Sequence, residues 1–307
     1  MQRKLLIAAA TALVAGSAFA QSTTEIYGRL NLSIERQDAG GAKNTVVQDN
    51  SSRIGFRGTE DLGGGLKAGF VIEHGFSADT GSAAGTFWGR EATLSLSGGF
   101  GTLRVGNLAA SAAYFATADY VSMHNHDTGT SSDALYGFVG IIGTMNNAIS
   151  YTSPTFSGAN IEVQYGMDEK KKADSPLSIA ANYDAGPLHL GFGYESYDGL
   201  KSTAVRVLYE LGAFTVGGYY EKGGGDASYN NIRLAGMYAM GASEFHVNYG
   251  TRGDTNDING TGANQMTLGY NYNLSKRTKV YAFYTRLDTD FAGADFNSLA
   301  VGIRHNF

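Results

Sequence analysis

The sequence contains no cysteine among its 307 residues, which excludes a disulfide framework and any thiol chemistry. Charged residues make up only 17% of the chain, below the usual share of about 25%. Beyond residue 20 there is no run of eighteen apolar residues, so the chain offers no candidate for a membrane-spanning helix. A disulfide-stapled domain and a helical membrane protein are therefore both excluded.

Glycine and aromatic residues are abundant instead. The chain has 43 glycines, about twice the usual share, together with 19 tyrosines and 16 phenylalanines. Disordered chains are poor in aromatic residues, so the glycine content does not indicate disorder. The composition predicts a folded chain with many turns.

The first twenty residues, MQRKLLIAAATALVAGSAFA, have the pattern of a cleaved secretory signal peptide. Arg3 and Lys4 precede an apolar stretch, and Ala18-Phe19-Ala20 has the small-x-small pattern of a cleavage site. We therefore expect a signal peptide over residues 1–20 and a single mature domain over 21–307. Without Arg3 and Lys4, 21 basic residues face 28 acidic ones. This acidic balance indicates that nucleic acid is not a partner.

From Thr24 onward, apolar and polar residues alternate with a period of two, as in half-buried strands. No segment shows a convincing helical period. Sixteen strands are predicted, over 24–35, 51–59, 65–76, 86–97, 101–107, 146–153, 159–167, 176–184, 187–196, 201–210, 213–221, 228–239, 242–251, 264–274, 277–288 and 296–307. Tight glycine-containing turns alternate with longer polar loops, such as 36–50 and a loop of about forty residues over 107–145.

A soluble β-sandwich and an outer-membrane barrel both fit alternating strands, but two features favour the barrel. Strands of about ten residues match a tilted membrane crossing, whereas sandwich strands are shorter. Short turns at one end and long loops at the other are typical of a barrel's two rims. Because every backbone group inside lipid must be paired, the sheet must close. The sequence predicts an all-β, sixteen-stranded antiparallel transmembrane β-barrel.

Several segments, in the same order along the chain, resemble the trimeric general porins of Gram-negative outer membranes, of the betaproteobacterial type. The resemblance covers residues 21–307 and is carried by SSRIGFRGTEDLGGGLKAGF (51–70), GGFGTLRVG (98–106), NNAISYTSPTFSG (146–158), LSKRTKVYAFY (274–284) and VGIRHNF (301–307).

This resemblance implies a homotrimer in the cell outer membrane, in contact with its lipid and lipopolysaccharide. It also implies that the third external loop, 107–145 by position, folds inward to form a constriction. The terminal Phe307, with its alternating partners Ile303 and Val301, is implied to be an assembly signal read by the outer-membrane assembly machinery.

The resemblance further implies which residues form the constriction. Arg53 and Arg90 match the family's constriction arginines on the barrel wall, and Asp119, Asp127 and Asp133 are the acidic candidates on the facing loop. Other charged residues on the polar phase of their strands are expected to line the lumen: Arg29, Arg57, Lys67 and Arg104. Related porins often have an arginine at the position of Thr144, so only weak charge selectivity is implied.

The function implied is passive diffusion of small hydrophilic solutes and ions through a water-filled channel, since sixteen strands leave an open lumen. A solute-specific channel for small organic anions or phosphate is the alternative within transport. An outer-membrane hydrolase would not need a forty-residue inward loop, and an adhesin would favour longer external loops. We therefore expect no enzymatic activity.

No cofactor and no metal are expected. His124 and His126 have an H-x-H spacing, but zinc needs three or four ligands and no further Cys/His cluster is visible. The stretch 253–262 is similar to a calcium loop but lacks its register and the closing glutamate. Whether it binds calcium stays open at this point.

Overall fold

The structure, a computed structural model, describes residues 22–118, 129–137, 143–167 and 175–307. These residues form one antiparallel sheet. Its strands are β1 (Thr23–Ala39), β2 (Ala42–Asp49), β3 (Arg53–Gly63), β4 (Leu66–Ser77), β5 (Ser82–Ala83), β6 (Glu91–Gly98), β7 (Gly101–Leu108), β8 (Met145–Thr152), β9 (Ala159–Gly166), β10 (Leu177–Ala185), β11 (Leu188–Tyr197), β12 (Leu200–Leu211), β13 (Phe214–Gly225), β14 (Asn230–Met240), β15 (Ser243–Arg252), β16 (Ala263–Asn273), β17 (Thr278–Thr289) and β18 (Phe296–Asn306).

The eighteen strand segments make sixteen barrel strands, which confirms the predicted architecture. Segments β2 and β3 are two halves of one strand, because β2 pairs with the second half of β1 and β3 with its first half. The interruption lies at residues 50–52, where Ser51 adopts a positive φ of 60°. The two-residue β5 only extends the end of β4 as a hairpin.

The barrel closes where β18 pairs with β1, from Arg29 opposite Asn306 to Ala39 opposite Phe296. The pairing continues to the last residue, since Gly28 and Phe307 exchange two backbone hydrogen bonds of 3.1 Å. No edge strand is left at this seam, as a barrel in lipid requires.

The two faces of the sheet follow the predicted alternation. On β18, Leu299 and Val301 are 59% and 58% exposed on the outer face, whereas Ser298 and Ala300 are buried on the inner face. An apolar outer surface around a polar interior is the arrangement of an outer-membrane barrel. Within the described ranges, no helix is long and apolar enough to cross a membrane.

Two sequence interpretations need correction. The stretch 36–50 is not a polar loop but continues the barrel wall as the β1–β2 hairpin, with Ile34 opposite Val47 and a turn at Gly40-Gly41. The strand predicted to start at residue 86 starts at Glu91 instead. Before it, Phe87 stacks on His74 at 4.2 Å and Trp88 packs edge-on against Phe87. This aromatic cluster takes the place of strand pairing.

Candidate functional site

The long connection between β7 and β8, residues 109–144, is called loop 3 below, and its described residues 109–118 and 129–137 pack against the inner face of the barrel wall. The loop begins with a short helix, α1 (Ala112–Ala116), whose N-cap Ser111 accepts a hydrogen bond from the backbone amide of Tyr114. The helix docks on the wall through its first amides. The amide of Ala112 donates to Gln164 Oε1 at 2.9 Å, and that of Ala113 donates to Ser178 Oγ at 3.0 Å. Loop 3 is therefore fixed to strands β9 and β10 at its start.

Two glycines on β11 make room for this helix. A Cβ atom at Gly191 would lie 1.9 Å from the carbonyl oxygen of Ala116, and one at Gly193 would lie 2.8 Å from the Cβ of Ala113. Real Cβ atoms do not approach other atoms this closely, so α1 can lie against the wall only because both positions lack side chains.

Loop 3 contacts the wall again in its second described part. Thr130 donates to the carboxylate of the buried Glu35 on β1 at 2.8 Å, and Ser298 on β18 donates to the same oxygen at 2.8 Å. Tyr136 is buried against Tyr219 of β13, at 5.6 Å between ring centroids. Burial raises the pKa of the Tyr136 phenol well above its ordinary value, so this side chain stays neutral.

Between loop 3 and the opposite wall lies a cavity of about 750 Å³. Its wall side carries four arginines and two glutamates on or beside β1, β3, β4 and β6: Arg29, Arg53, Arg57, Arg90, Glu73 and Glu91. Its loop side is formed by Ala109, Ala110, Tyr114, Phe115, Ser132 and Asp133. The structure thus brings the predicted Arg53 and Arg90 together with Asp133, and adds Arg29 and Arg57 to the same wall.

The arginines of this wall are held in place by neighbouring side chains. Arg90 pairs with Glu73 at 2.5 Å, Arg57 pairs with Glu25, and Arg29 Nε donates to Asn306 Oδ1 at 3.0 Å. Arg29 and Arg53 stand directly opposite each other on β1 and β3. Like charges opposite each other on neighbouring strands repel, which favours an anion near them.

Other residues singled out in the sequence lie elsewhere. Arg104 on β7 pairs with Glu162 at 2.5 Å and lies 3.9 Å from the cavity-lining Glu91, but it does not itself line the cavity. Lys67 is opposite Asp61, next to the short β3–β4 turn. Thr144 is exposed just before β8. Asp119 and Asp127 lie outside the described residues.

The arginine wall also has an acidic side, which the sequence pattern did not reveal. Glu73 and Glu91 line the cavity, and Tyr114 and Phe115 give the loop side an apolar surface. Glu73 lies on the polar phase of β4 together with Lys67, so the alternation of that strand indicates that the Glu73 side chain faces the lumen. The alternation does not show which charged side chain pairs with Arg90.

At the barrel seam, the ring of Phe307 lies over Gly28, where a Cβ atom would come within 2.5 Å of it. Val301 and Ile303 are exposed on the outer face of the same strand. The residues named as an assembly signal therefore lie on the outward phase of one strand, with His305 between Ile303 and Phe307.

Across the part of the chain that the structure describes, no three His, Asp or Glu side chains converge as metal ligands. The 253–262 loop is instead held by its own side chains. Asp254 Oδ1 accepts from the amide of Thr261 at 2.9 Å, and Arg252 donates to the carbonyl of Thr261 at 2.6 Å. His124 and His126 lie outside the described residues.

A closed barrel of sixteen strands, with an apolar outside, a polar inside and a loop folded into it, defines a β-barrel membrane channel. The model of a family described as Gram-negative porin matches residues 7–292. The chain therefore belongs to the Gram-negative porin family.

Individual relatives are similar to this chain in sequence over nearly its whole length. Outer membrane porin protein 32 of Delftia acidovorans is 32% identical, with 99% of this chain and 100% of that protein covered. An outer membrane porin protein of Bordetella pertussis is 27% identical, with 100% of both chains covered. Among solved structures, an anion-selective porin from Comamonas acidovorans superposes with a TM-score of 0.81 at 30% identity, covering 94% of this chain and 100% of that one.

The protein is thus an outer-membrane porin, a passive channel and not an enzyme. The predicted fold, function class and location are confirmed.

Proposed function

We propose that this porin passes small hydrophilic solutes and ions with a weak preference for anions, set where loop 3 faces the arginine wall. The observation that carries this proposal is the cavity of about 750 Å³ with Arg29, Arg53, Arg57 and Arg90 along one side. Rings of charged side chains set the selectivity of a pore. Loop 3 is the proposed constriction, with Arg53 and Arg90 as its principal basic residues.

The balance of charge around the cavity supports the direction of this preference. Among the described lining residues, the four arginines face Glu73, Glu91 and Asp133, and Asp133 is itself paired with Arg233 at 2.8 Å outside the lining. A positive excess therefore remains on the wall. The excess is small, because Arg90 is paired with Glu73 and Arg57 with Glu25, and Thr144 adds no charge.

Replacing both Arg53 and Arg90 by serine is expected to shift the reversal potential in a salt gradient toward cations. A unit charge about 8 Å from a permeating ion in water contributes ~0.5 kcal/mol, or about a twofold change in local ion concentration per arginine. The shift is expected to be largest near 0.01 M salt, where the Debye length is ~30 Å, and to fade near 1 M, where it is ~3 Å. Planar-bilayer recordings of the purified protein measure it.

Two matched variants complete this test. Thr144 precedes β8 in loop 3 and does not line the cavity, so Thr144→Arg is expected to move the reversal potential toward anions by less than the double serine variant moves it toward cations. Arg286→Ser removes an arginine that is 57% exposed and paired with Asp288, outside the cavity lining, so no shift is expected. If the double serine variant matches the wild type at low salt, Arg53 and Arg90 do not act on permeating ions and the proposed constriction is wrong.

We also propose that the protein assembles as a homotrimer through the outer face of β1, β3, β4 and β6. Small residues lie on the outward phase of these strands at Ala68 and Ala92, and also at Gly28 and Gly58, where the rings of Phe307 and Phe70 lie over the backbone. Small residues allow close approach at interfaces within membranes.

Ala68→Trp is therefore expected to convert the trimer to monomers, because the indole would hold the two outer faces apart. Ala181→Trp places the same side chain on the outward phase of β10, outside the proposed interface, and should leave the trimer intact. Chemical cross-linking in mild detergent reads the oligomeric state. A wild-type protein that cross-links only as a monomer contradicts the proposal.

Two processing steps belong to the same proposal. Residues 1–20 are removed as a signal peptide during export, and the strip of Val301, Ile303 and Phe307 is read by the outer-membrane assembly machinery. The barrel then sits among outer-membrane lipid and lipopolysaccharide. The apolar outer face of β18 and its pairing to Gly28 support the role of this strip.

A further inference from the structure

Residues 132–137, in the second half of loop 3, are inserted into a socket in the wall formed by β13 to β16. Leu135 is fully buried there, and a Cβ atom at Gly250 would lie 2.9 Å from its Cδ1. The side-chain amide of Gln265 binds the backbone of this segment twice: it accepts from the amide of Ala134 at 2.9 Å and donates to the carbonyl of Ser132 at 2.7 Å. Both shape and hydrogen bonds therefore fix this segment.

An ion pair lies at the base of the socket. Arg233 Nη1 is 2.8 Å from Asp133 Oδ1, and the two side chains are 0% and 1% exposed. Tyr219 donates its hydroxyl to the other oxygen of Asp133. Arg233 also donates to Gln265 Oε1 at 2.9 Å and to Asn248 Oδ1 at 2.5 Å. The pair is thus enclosed by groups from four strands.

Because this ion pair is buried, its charges are poorly screened and a change in either one would be felt by ions in the channel. Asp133 lies at the edge of the cavity that also contains Arg53 and Arg90, and its carboxylate, only 1% exposed, points into the socket. Buried charges are screened by salt much less than exposed ones. With Arg233 beside it, the carboxylate contributes little net charge to the cavity. Without Arg233, a full negative charge would stand opposite the arginine wall.

We propose that Arg233 determines selectivity from behind loop 3, as the fixed counter-ion that keeps Asp133 from acting on permeating ions. This inference rests on the proposed weak anion preference and adds a residue outside the cavity lining to it. Arg233 is a positioning residue, because it acts through Asp133 and also holds residues 132–137 in their socket.

The proposal is tested by reversal potentials of three variants in lipid bilayers. Arg233→Gln is expected to leave Asp133 uncompensated and to lower the anion-to-cation permeability ratio about twofold. Asp133→Asn is expected to leave Arg233 uncompensated and to raise the ratio by a similar factor. The double variant carries neither charge and should return close to the wild-type value.

The double variant is decisive. If Arg233 were only structural and Asp133 acted on ions directly, the double variant would behave like Asp133→Asn alone. Arg233→Lys keeps the charge but loses the planar fork, so its reversal potential should stay near that of the wild type while its current noise increases. Arg286→Gln is the matched control on the outer rim and should change nothing.

Folding is checked separately by far-ultraviolet circular dichroism and protease resistance in detergent. Should one single variant fail to fold, the double variant and Arg233→Lys still decide the question, because neither leaves a buried charge unpaired. The result is also separable from the wider proposal. If the Arg53 and Arg90 variants have the wild-type reversal potential, the proposed role of the arginine wall in selectivity is wrong. If the double variant has the reversal potential of Asp133→Asn, only the proposed role of Arg233 is wrong.

Discussion

Gly193→Leu is expected to lower the single-channel conductance about twofold or more, the largest effect on conductance that the structure indicates. Gly193 lies beneath α1, where even a Cβ atom would come within 2.8 Å of Ala113. Overpacking of this kind costs roughly 1–3 kcal/mol when the neighbours cannot move. The helix can move, but only away from the wall and into the lumen. Conductance at 1 M salt in planar bilayers measures the effect.

The matched control for this substitution is Gly236→Leu on β14. A Cβ atom at Gly236 meets only Val247 Cγ1, at 3.6 Å, which is ordinary van der Waals contact. The added side chain extends from the outer face, so the conductance should equal that of the wild type. An unchanged conductance in folded Gly193→Leu would show that α1 does not border the path of the ions.

Deleting Phe307 is expected to lower the amount of barrel in the outer membrane several-fold while leaving the unit conductance of the remaining channels unchanged. The deletion removes both backbone hydrogen bonds to Gly28 and the ring that lies over it. Each lost hydrogen bond costs about 1 kcal/mol, and a loss of about 1–2 kcal/mol changes abundance several-fold. Immunoblots of isolated outer membranes measure the amount.

A second measurement separates stability from recognition by the assembly machinery. Refolding of the purified chain into detergent depends on the seam alone, whereas the yield in cells depends on both. Normal refolding with a low cellular yield would indicate recognition, and a loss in both would indicate a weakened seam. Phe307→Tyr keeps the ring and both hydrogen bonds, so it should behave as the wild type in both assays. A normal cellular yield after the deletion contradicts the assembly role.

For the arginine wall, the sequence predicted the two principal arginines but not their surroundings. Arg53, which the family resemblance implies as a constriction residue, lines the cavity with Arg29, its cross-strand neighbour. Arg90 lies just before β6 rather than within it, because the aromatic cluster around Phe87 and Trp88 precedes the strand. It still reaches the cavity, since its partner Glu73 comes from the neighbouring strand β4.

The alternation in the sequence predicts the barrel, the pairing of its last strand with the first, and the inward or outward face of most strand residues, with the β1–β2 hairpin over 36–50 as the exception. The reason is local. Successive side chains of a strand point to opposite faces, so the alternation of Leu299, Val301 and Ile303 with polar and small residues identifies the outer surface without any knowledge of neighbours. A loop of about forty residues is likewise visible in the sequence as an interruption of that pattern.

Which charges meet depends on contacts between distant parts of the chain. Asp133 and Arg233 are one hundred residues apart in the chain, and their pairing depends on where loop 3 folds within the barrel. The same holds for Gly191 and Gly193, which look like ordinary strand glycines until α1 lies on them. Strand periodicity comes from backbone geometry within a few residues, whereas these contacts arise from the register of many strands and the course of one loop.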